Sequence, residues 1–504
     1  MGVRIIGKVI RANRHGFFVK QSRWQSTLSQ RLTITASPKA SKSQVLEELG
    51  RHALKSSGQA LHGIDDKGVA ILASKEFTGW LDDESFMSTF LEALLKPENT
   101  IQTDNHGLHV LSGITDGLGP TKLSCEPHMG FSILQGSANE ILPGLWGDDG
   151  FSNASQDSVS AVSFQTNPLA RNTGVLKVTL PLANTVFQNG RRSTLYASRW
   201  DVGSQGSLVQ NMRNAKITQQ IIATGGSINH MSSVLPLLPL TPPRKIIASL
   251  GNIIRQVEVD GSPSPASKEL EAIIPQIFEK RAQKNPESTP RPVGVWCWVI
   301  PHSVVDAIDF GKLKTFSAFS SESEEDIVSS SMGLFSDLLS SGCRLHKILS
   351  GGGGWGLKQG LLSLDPETSF SLPGRDDDIE MFIRSFEERN DSEQSGGIAT
   401  KGSSLLFCME PQMPYTGEGS IPLPALTRHA FTFGVAPNAE YSSSGNAYSG
   451  PVEIIEGHFG ASSAAGLYLG AASRAIIGDN SKGGSVAQDT FNTRIDVPNT
   501  YIYI

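Results

Sequence analysis

The residues with the clearest potential for chemistry form a glycine-rich stretch, SGGGGWGLKQG, at residues 350–360. Backbone N–H groups of glycine can approach an anion closely because no Cβ stands in the way, and a nearby lysine adds positive charge. The candidate ligand- or partner-binding residues are Gly351, Gly352, Gly353, Gly354, Trp355, Gly356 and Lys358. The alternative is a structural turn that lets Trp355 fold back onto the core. Ordering consecutive glycines costs much entropy, so a partner for this loop is worth testing.

This stretch does not match a nucleotide-binding P-loop. Gly351 and Gly356 have the required G-x4-G spacing, but Leu357 displaces the lysine by one position. Gln359 stands where the magnesium-binding hydroxyl should be. The following residues, LLSLDPE, predict a short strand instead of the helix whose N-terminus would bind phosphate. A looser anion or peptide contact through the glycine amides and Lys358 stays open.

Two pairs of possible zinc ligands lie close together in the sequence. His106 and His109 are separated by two residues, and Cys125 and His128 have the same separation. Four zinc ligands can be drawn from these pairs. However, the segment HGLHV is extended in character, which would place the two histidines on opposite faces of a strand. We therefore predict packed or exposed side chains at these positions and assign no metal site.

The cysteines are scattered through the chain. They are Cys125, Cys297, Cys343 and Cys408. Cys343 and His346 form a second Cys-x2-His pair, which indicates that this spacing also arises by chance. We expect free thiols and no disulfide framework, because the predicted compartment is reducing.

No catalytic arrangement is evident. Ser462 lies in a G-x-S-x-A pattern, one residue short of the hydrolase nucleophile elbow. Ser227 precedes His230 by three residues, but a glycine-serine turn is a commoner origin of such a segment. The catalytic residues and any cofactor are therefore unknown, and the sequence does not decide whether the protein is an enzyme.

Length and composition are typical of a globular protein. At 504 residues the chain exceeds one ordinary core, so more than one domain is expected. Its 38% apolar and 18% charged residues exclude an intrinsically disordered chain. No apolar run reaches the ~18 residues that a membrane-spanning helix needs, so we predict no membrane span.

The N-terminus differs in composition from the rest of the chain. Basic residues occur throughout its first 46 residues, and the first acidic residue is Glu47. Arg4, Lys8 and Arg11 follow helical spacing and would lie on one face. A basic amphipathic helix without carboxylates is typical of a mitochondrial transit peptide, which we assign to residues 1–26. A basic arm on a cytosolic protein is the alternative.

Removal of this leader would make the protein more acidic. Residues 1–26 contain six basic residues and no acidic one, so the formal net charge would fall from −6 to −12. Lysine and arginine make the phosphate contacts that bind RNA. RNA binding is therefore disfavoured, although a local basic patch means that it is not excluded.

Strands and helices interleave along the chain, which predicts a mixed α/β or α+β fold. GVAILASKEF and VGVWCWVIP predict buried strands, and SKSQVLEELGRHALKSSG predicts a helix with Ser43 as its N-cap. SESEEDIVSSSMGLFSDLLSSG predicts another helix, with acidic residues in its first turn. QNGRR predicts the turn of a hairpin.

A charged segment punctuated by prolines divides the chain into two strand-rich lobes. We predict an N-terminal α/β lobe at residues 27–258 and a C-terminal α/β lobe at residues 293–504. A connector with one helix, residues 259–292, would join them.

Two segments, LPLANTVFQNGRRSTLYASRW (residues 180–200) and SGGGGWGLKQGLLSLDP (residues 350–366), resemble parts of uncharacterised mitochondrial proteins of filamentous fungi. The resemblance covers under a tenth of the chain. It implies a mitochondrial location and carries no activity.

Two functional hypotheses follow from the sequence. The first is a soluble, non-enzymatic accessory or assembly factor of the mitochondrial matrix, bound to the mitochondrial ribosome or to an assembling respiratory complex. The second is a matrix enzyme that acts on a small phosphorylated or carboxylated substrate, held by the loop around Lys358.

Overall fold

A computed structural model describes residues 29–55, 66–95, 107–119, 128–147, 159–166, 175–204, 206–223, 231–284, 292–351, 360–370, 398–412, 430–437, 451–473 and 488–504. The predicted transit peptide at residues 1–26 lies outside these ranges and stays a prediction. Within them, no helix combines the length and the hydropathy that crossing a bilayer requires.

The described chain is rich in strands. They are β1 (Gln30–Thr35), β2 (Lys67–Ser74), β3 (Leu108–Thr115), β4 (Gly130–Ser137), β5 (Ala161–Thr166), β6 (Val175–Pro181), β7 (Leu195–Val202), β8 (Leu208–Ala215), β9 (Thr218–Ala223), β10 (Ser232–Val234), β11 (Leu238–Pro239), β12 (Arg244–Leu250), β13 (Ile253–Val259), β14 (Ser262–Pro265), β15 (Val295–Ile300), β16 (Arg344–Gly351), β17 (Leu362–Leu364), β18 (Ser404–Met409), β19 (Ala430–Val435), β20 (Glu453–Glu456), β21 (His458–Ser463), β22 (Leu467–Ser473), β23 (Gln488–Ile495) and β24 (Tyr501–Tyr503).

Helices alternate with these strands. They are α1 (Lys42–Lys55), α2 (Thr78–Leu81), α3 (Glu84–Leu95), α4 (Ala138–Ile141), α5 (Val186–Asn189), α6 (Lys268–Lys284), α7 (His302–Val305) and α8 (Glu324–Ser340). The fold is therefore mixed α/β, as the sequence predicts.

A seven-stranded sheet, in the order β20-β1-β4-β2-β3-β7-β8, forms one large layer. β2 and β3 form its parallel pair. Val69 and Ile71 of β2 pack against the helix-covered face, whereas Ala70 and Leu72 join a core on the other face. A strand buried on both faces has a continuous apolar sequence, which explains the run VAILA.

Helix α1 begins at Lys42, whereas an N-cap at Ser43 would make Gln44 its first residue. Ser41 is the N-cap: its Oγ accepts the N–H of Gln44 at 3.2 Å, and its own N–H donates to Gln44 Oε1 at 2.8 Å. This reciprocal pair is a capping box, which requires Ser and Gln three residues apart. The prediction of Ser43 as the cap is therefore wrong, because Ser43 lies inside the helix.

A second sheet closes on itself. β12, β13, β17, β16, β15 and β18 follow one another as neighbours, and the antiparallel pairing of β15 with β18 completes the ring. The predicted strand VWCWVI is confirmed as β15. Its alternation sends Trp296 and Trp298 to one core cluster, and Cys297 and Val299 to another.

The two remaining sheets are a five-stranded sheet, β23-β22-β6-β5-β9, and a four-stranded sheet, β10-β24-β19-β21. The hairpin predicted around QNGRR is wrong, because β6 pairs with β5 and β22 whereas β7 pairs with β3 and β8. The short helix α5 occupies the connection and ends at Gly190, whose φ is 74°.

Strands from both sides of the predicted connector occur in all four sheets. For example, β20 pairs with β1, and β22 pairs with β6. Residues 259–292 contain the predicted helix, α6, together with the short strand β14. This segment therefore does not separate one set of sheets from another.

Candidate functional site

The glycine-rich loop joins two antiparallel strands of the closed sheet. β16 ends at Gly351, and this residue pairs with Leu362 at the start of β17. The other candidates lie outside the described residues, and their role stays a prediction: Gly352, Gly353, Gly354, Trp355, Gly356 and Lys358. The predicted strand after the loop is confirmed, and it occupies the place where a P-loop requires a helix. β16 and β17 are therefore the two strands of a β-hairpin.

Gly360 fixes the C-terminal end of this loop. Its φ is 82°, in the left-handed region that favours glycine. A Cβ at this position would lie 2.6 Å from the Cβ of Pro265 in β14. The carbonyl of Gly360 also accepts the N–H of Ser267 at 3.3 Å, just before α6 begins. Both the backbone conformation and the packing therefore require glycine here.

Three exposed apolar side chains flank the loop. Leu250 is 81% exposed, Leu349 is 57% exposed and Ile253 is 38% exposed. Leu250 and Ile253 pair directly across a two-residue turn. Ile253 pairs with Ser363, which pairs with Ser350 beside Leu349, so the three side chains span three strand spacings, or about 14 Å. We call Leu250, Ile253 and Leu349 the hairpin patch.

A polar cluster lies at the base of the same hairpin. Nη1 of Arg494 contacts the carboxylate of Glu367 and lies 3.5 Å from Oδ2 of Asp365. The hydroxyl of Tyr468 donates to Glu367 at 2.5 Å. Burial, together with this hydrogen bond, raises the pKa of Tyr468, so the phenol stays protonated. Two carboxylates thus surround one guanidinium, which leaves an excess of negative charge.

Lys347 is the cation of β16 nearest the glycine loop in sequence. Its Nζ lies 3.7 Å from Oδ2 of Asp496, and Oδ1 of the same carboxylate accepts the indole N–H of Trp296 at 2.6 Å. Arg494 and Lys347 are therefore both paired with carboxylates. Neither provides a spare positive charge for an anion at the loop.

His346 is buried, with 2% of its surface exposed. Its Nδ1 lies 2.8 Å from the carbonyl oxygen of Asp365, and Nε2 has no hydrogen-bond partner within the described part of the chain. Burial lowers the pKa of the imidazole, which is therefore neutral near pH ~7. Burial also raises the pKa of Cys343 to about 12. Both members of this Cys-x2-His pair are buried core residues.

The described cysteines Cys297, Cys343 and Cys408 are free, as predicted, and all three are buried. Cys125 lies outside the described residues. Burial raises the pKa of Cys297 and Cys408 as well. A buried thiol with a raised pKa is a poor nucleophile, because the thiolate is the reactive form. These residues therefore act as apolar packing groups.

The four possible zinc ligands are only partly described. Nδ1 of His109, on β3, accepts the indole N–H of Trp146 at 2.7 Å. The backbone carbonyl of His128 accepts the N–H of Leu118 at 2.7 Å. His106 and Cys125 lie outside the described residues, so the four-ligand arrangement is untested. Elsewhere in the described ranges, no three His, Cys, Asp or Glu side chains converge on a common point.

Ser462 lies on β21 and is fully buried. Its backbone pairs with Gly117, and its Oγ has no partner among the described residues. The nearby His458 binds Thr33 through Nδ1 at 2.9 Å and Thr432 through Nε2 at 3.2 Å. Ser462 therefore has no histidine base in the described structure. Ser227 and His230 lie outside it.

Sequence analysis alone missed the hairpin patch and the Arg494 cluster. The segment SLGNII shows that Leu250 and Ile253 flank a turn, but apolar side chains are ordinarily assigned to a core. Arg494 meets Glu367 across more than one hundred residues of sequence, so no local pattern connects them.

Comparisons with known proteins provide no relative. The chain matches no protein-family model, no curated protein and no solved structure. The functional conclusion therefore depends on the residues of this site.

Proposed function

We propose that the protein is a non-enzymatic accessory or assembly factor of the mitochondrial matrix, acting in mitochondrial translation or in the assembly of a respiratory complex. It binds a protein partner through the hairpin patch and the glycine-rich loop. The observation that carries the proposal is the exposure of Leu250, Leu349 and Ile253 beside this loop.

Exposed apolar side chains provide the driving force for such an interface. Burying a leucine or isoleucine side chain contributes roughly 1.5–3 kcal/mol. Most of this free energy is still to be gained at Leu250 and Leu349, because both side chains are largely exposed in the isolated chain. A partner that covers the patch can therefore gain this free energy on binding and offset part of the entropy cost of association.

The charges near the loop favour a protein partner over a small anionic substrate. The cluster of Arg494, Asp365 and Glu367 has more negative than positive charge. Lys347 is paired with Asp496. An anion at the loop would gain no help from either described cation and would be repelled by the excess carboxylate.

The proposed location is supported by the basic leader at residues 1–26 and by the resemblance to fungal mitochondrial proteins. Import into isolated mitochondria tests it directly. We expect a shortened, protease-protected product that depends on the membrane potential. A full-length product that stays accessible to protease would contradict the location and leave partner binding to be judged separately.

Co-sedimentation tests the binding surface. Tagged wild-type protein is expected to sediment with mitochondrial ribosomes or with an inner-membrane complex, and a Leu250→Asp/Leu349→Asp variant is expected in the free fraction. Phe319→Asp is the matched control, because Phe319 is 98% exposed and lies beside the far end of α6, where Lys280 Nζ donates to Ser320 O at 2.8 Å. This point is ~18 Å along the helix from the glycine loop.

Each result has a defined meaning. Loss of sedimentation in the double variant, with retention in the Phe319 control, supports the hairpin patch. A free wild-type protein would contradict the accessory-factor proposal. Equal sedimentation of wild type and double variant would assign the contact to another surface.

A further inference from the structure

A cavity of about 390 Å³ opens beside β8, the edge strand of the seven-stranded sheet. It belongs to a different sheet from the hairpin patch. The residues that line it are Asp82, Asn189, Arg191, Tyr196, Arg213 and Ala215. Its volume falls within the range of ~300–1,000 Å³ that is usual for small-molecule sites.

Asp82 organises the floor of this cavity. Its carboxylate accepts Nη2–H of Arg213 at 2.6 Å and Nδ2–H of Asn189 at 3.2 Å. Burial and the nearby Asp82 charge raise the pKa of Tyr196, so the phenol remains a donor. Two donors therefore share one carboxylate, which holds their side chains in place.

Two guanidinium groups lie over the Tyr196 ring. The Cζ of Arg213 is 3.8 Å from the ring centroid, and the Cζ of Arg191 is 5.4 Å from it. Asp82 pairs with Arg213, whereas Arg191 has no carboxylate partner within the described ranges. The cavity therefore has one excess positive charge, although the whole chain has a net charge of −6.

The backbone holds Arg191 at the mouth of the cavity. α5 ends at Gly190, and the next carbonyl, that of Arg191, accepts the hydroxyl of Thr185 at 2.9 Å. The N–H of Arg191 donates to Oδ1 of Asn189 at 3.3 Å. Hydrogen bonds on both sides of its Cα thus fix the backbone of Arg191 at this position.

We propose that this cavity binds an oxyanion, the carboxylate or phosphate group of a small molecule. Arg191 supplies a charge that no described carboxylate neutralises, and Arg213 supplies the N–H groups that Asp82 does not use. Arginine suits this role because its planar fork matches both kinds of oxyanion. The Tyr196 ring, which is 5% exposed, lies under both guanidinium groups and supports them.

Calorimetric titration of the full chain tests the proposal, with inorganic phosphate and succinate as separate probes. We expect wild type to bind at least one probe, and the tighter one identifies the oxyanion. Arg191→Gln should weaken binding about 10- to 100-fold, because a charge-assisted hydrogen bond is lost. Arg192→Gln is the matched control, since Arg192 is exposed and adjacent but does not line the cavity.

Two outcomes would overturn the proposal. One is a wild-type protein that binds neither probe. The other is an equal effect of Arg191→Gln and Arg192→Gln, which would indicate general attraction to a basic surface. The Leu250→Asp/Leu349→Asp variant should bind the probe as wild type does, so this site is tested independently of the partner surface.

Discussion

Arg281→Met should destabilise the fold by releasing α6 from α8. Arg281 is 8% exposed, and its Nε and Nη2 bind the two carboxylate oxygens of Glu324 at 2.8 and 2.9 Å. Nη2 also donates to the carbonyl of Glu410 at 2.9 Å, just beyond β18. One guanidinium therefore joins the predicted connector helix, the first turn of α8 and the closed sheet.

The expected loss follows from what the substitution leaves behind. Methionine fills the space of the aliphatic stem but leaves Glu324 without its charge partner. Breaking a buried pair in this way costs roughly 3–5 kcal/mol. Glu324 is 20% exposed, so water can solvate part of its charge. We therefore expect the free energy of unfolding to fall by about 2–4 kcal/mol.

Urea unfolding, followed by tryptophan fluorescence, measures this change. Lys284→Met, at an exposed position of the same helix, is the control and should change the free energy by no more than ~0.5 kcal/mol. Glu324→Gln, alone and combined with Arg281→Met, completes a double-mutant cycle, in which we expect a coupling energy of about 1–3 kcal/mol. A loss no larger than that of the control, or a coupling energy near zero, would refute the reasoning.

Three further predictions concern local features. Gly360→Ala should lower the free energy of unfolding by at least ~1 kcal/mol more than Gly402→Ala. Both glycines have positive φ, but only at Gly360 would a Cβ clash with a neighbouring residue. Equal urea midpoints of the two variants would contradict this. Ser41→Ala should cost ~1 kcal/mol through loss of the capping box, and Ser43→Ala less, by the same measurement; the reverse order would restore Ser43 as the cap. Burial lowers the pKa of His346 below its usual value of 6.5, so the unfolded protein binds more protons at this residue and stability should fall as the pH drops below 6.5. His346→Gln should reduce the change in urea midpoint between about pH 7.5 and about pH 5.5. The same change in midpoint in the variant and in wild type would exclude His346 as a cause.

Elements that depend on nearby residues could be predicted from the sequence. The apolar run around Trp296 and Trp298 forms the buried strand β15. The acidic segment after residue 320 forms α8, where Ser323 Oγ accepts the N–H of Asp326 at 3.1 Å. In both cases the determining interactions lie within a few residues, so propensity and capping chemistry are sufficient.

Sheet organisation could not be predicted in this way. QNGRR signals that the chain turns, but a turn does not determine which strands pair. β6 and β7 therefore enter different sheets although they flank the same turn. The oxyanion cavity could not be predicted from local sequence either, because Asp82 and Arg213 meet across more than one hundred residues of sequence.

The candidate site shows a further limit of prediction from sequence. The first glycine of the run, Gly351, ends β16 and pairs with Leu362 of β17, whereas the binding role assigned to the run stays a prediction. The exposure of Leu250 is a tertiary property, because the same residue type elsewhere in the chain is buried. Hydrophobicity alone cannot distinguish a leucine that packs in a core from one that a partner would cover.

The pairing of β1 with β20 affects when the protein can fold. Thr33 and Ile455 are ladder partners more than 400 residues apart. β1 therefore lacks one of its two neighbours until nearly the whole polypeptide has been synthesised, and contacts of this range close late and slowly. The edge of the seven-stranded sheet at β1 is therefore among the last parts of the fold that a growing chain can complete.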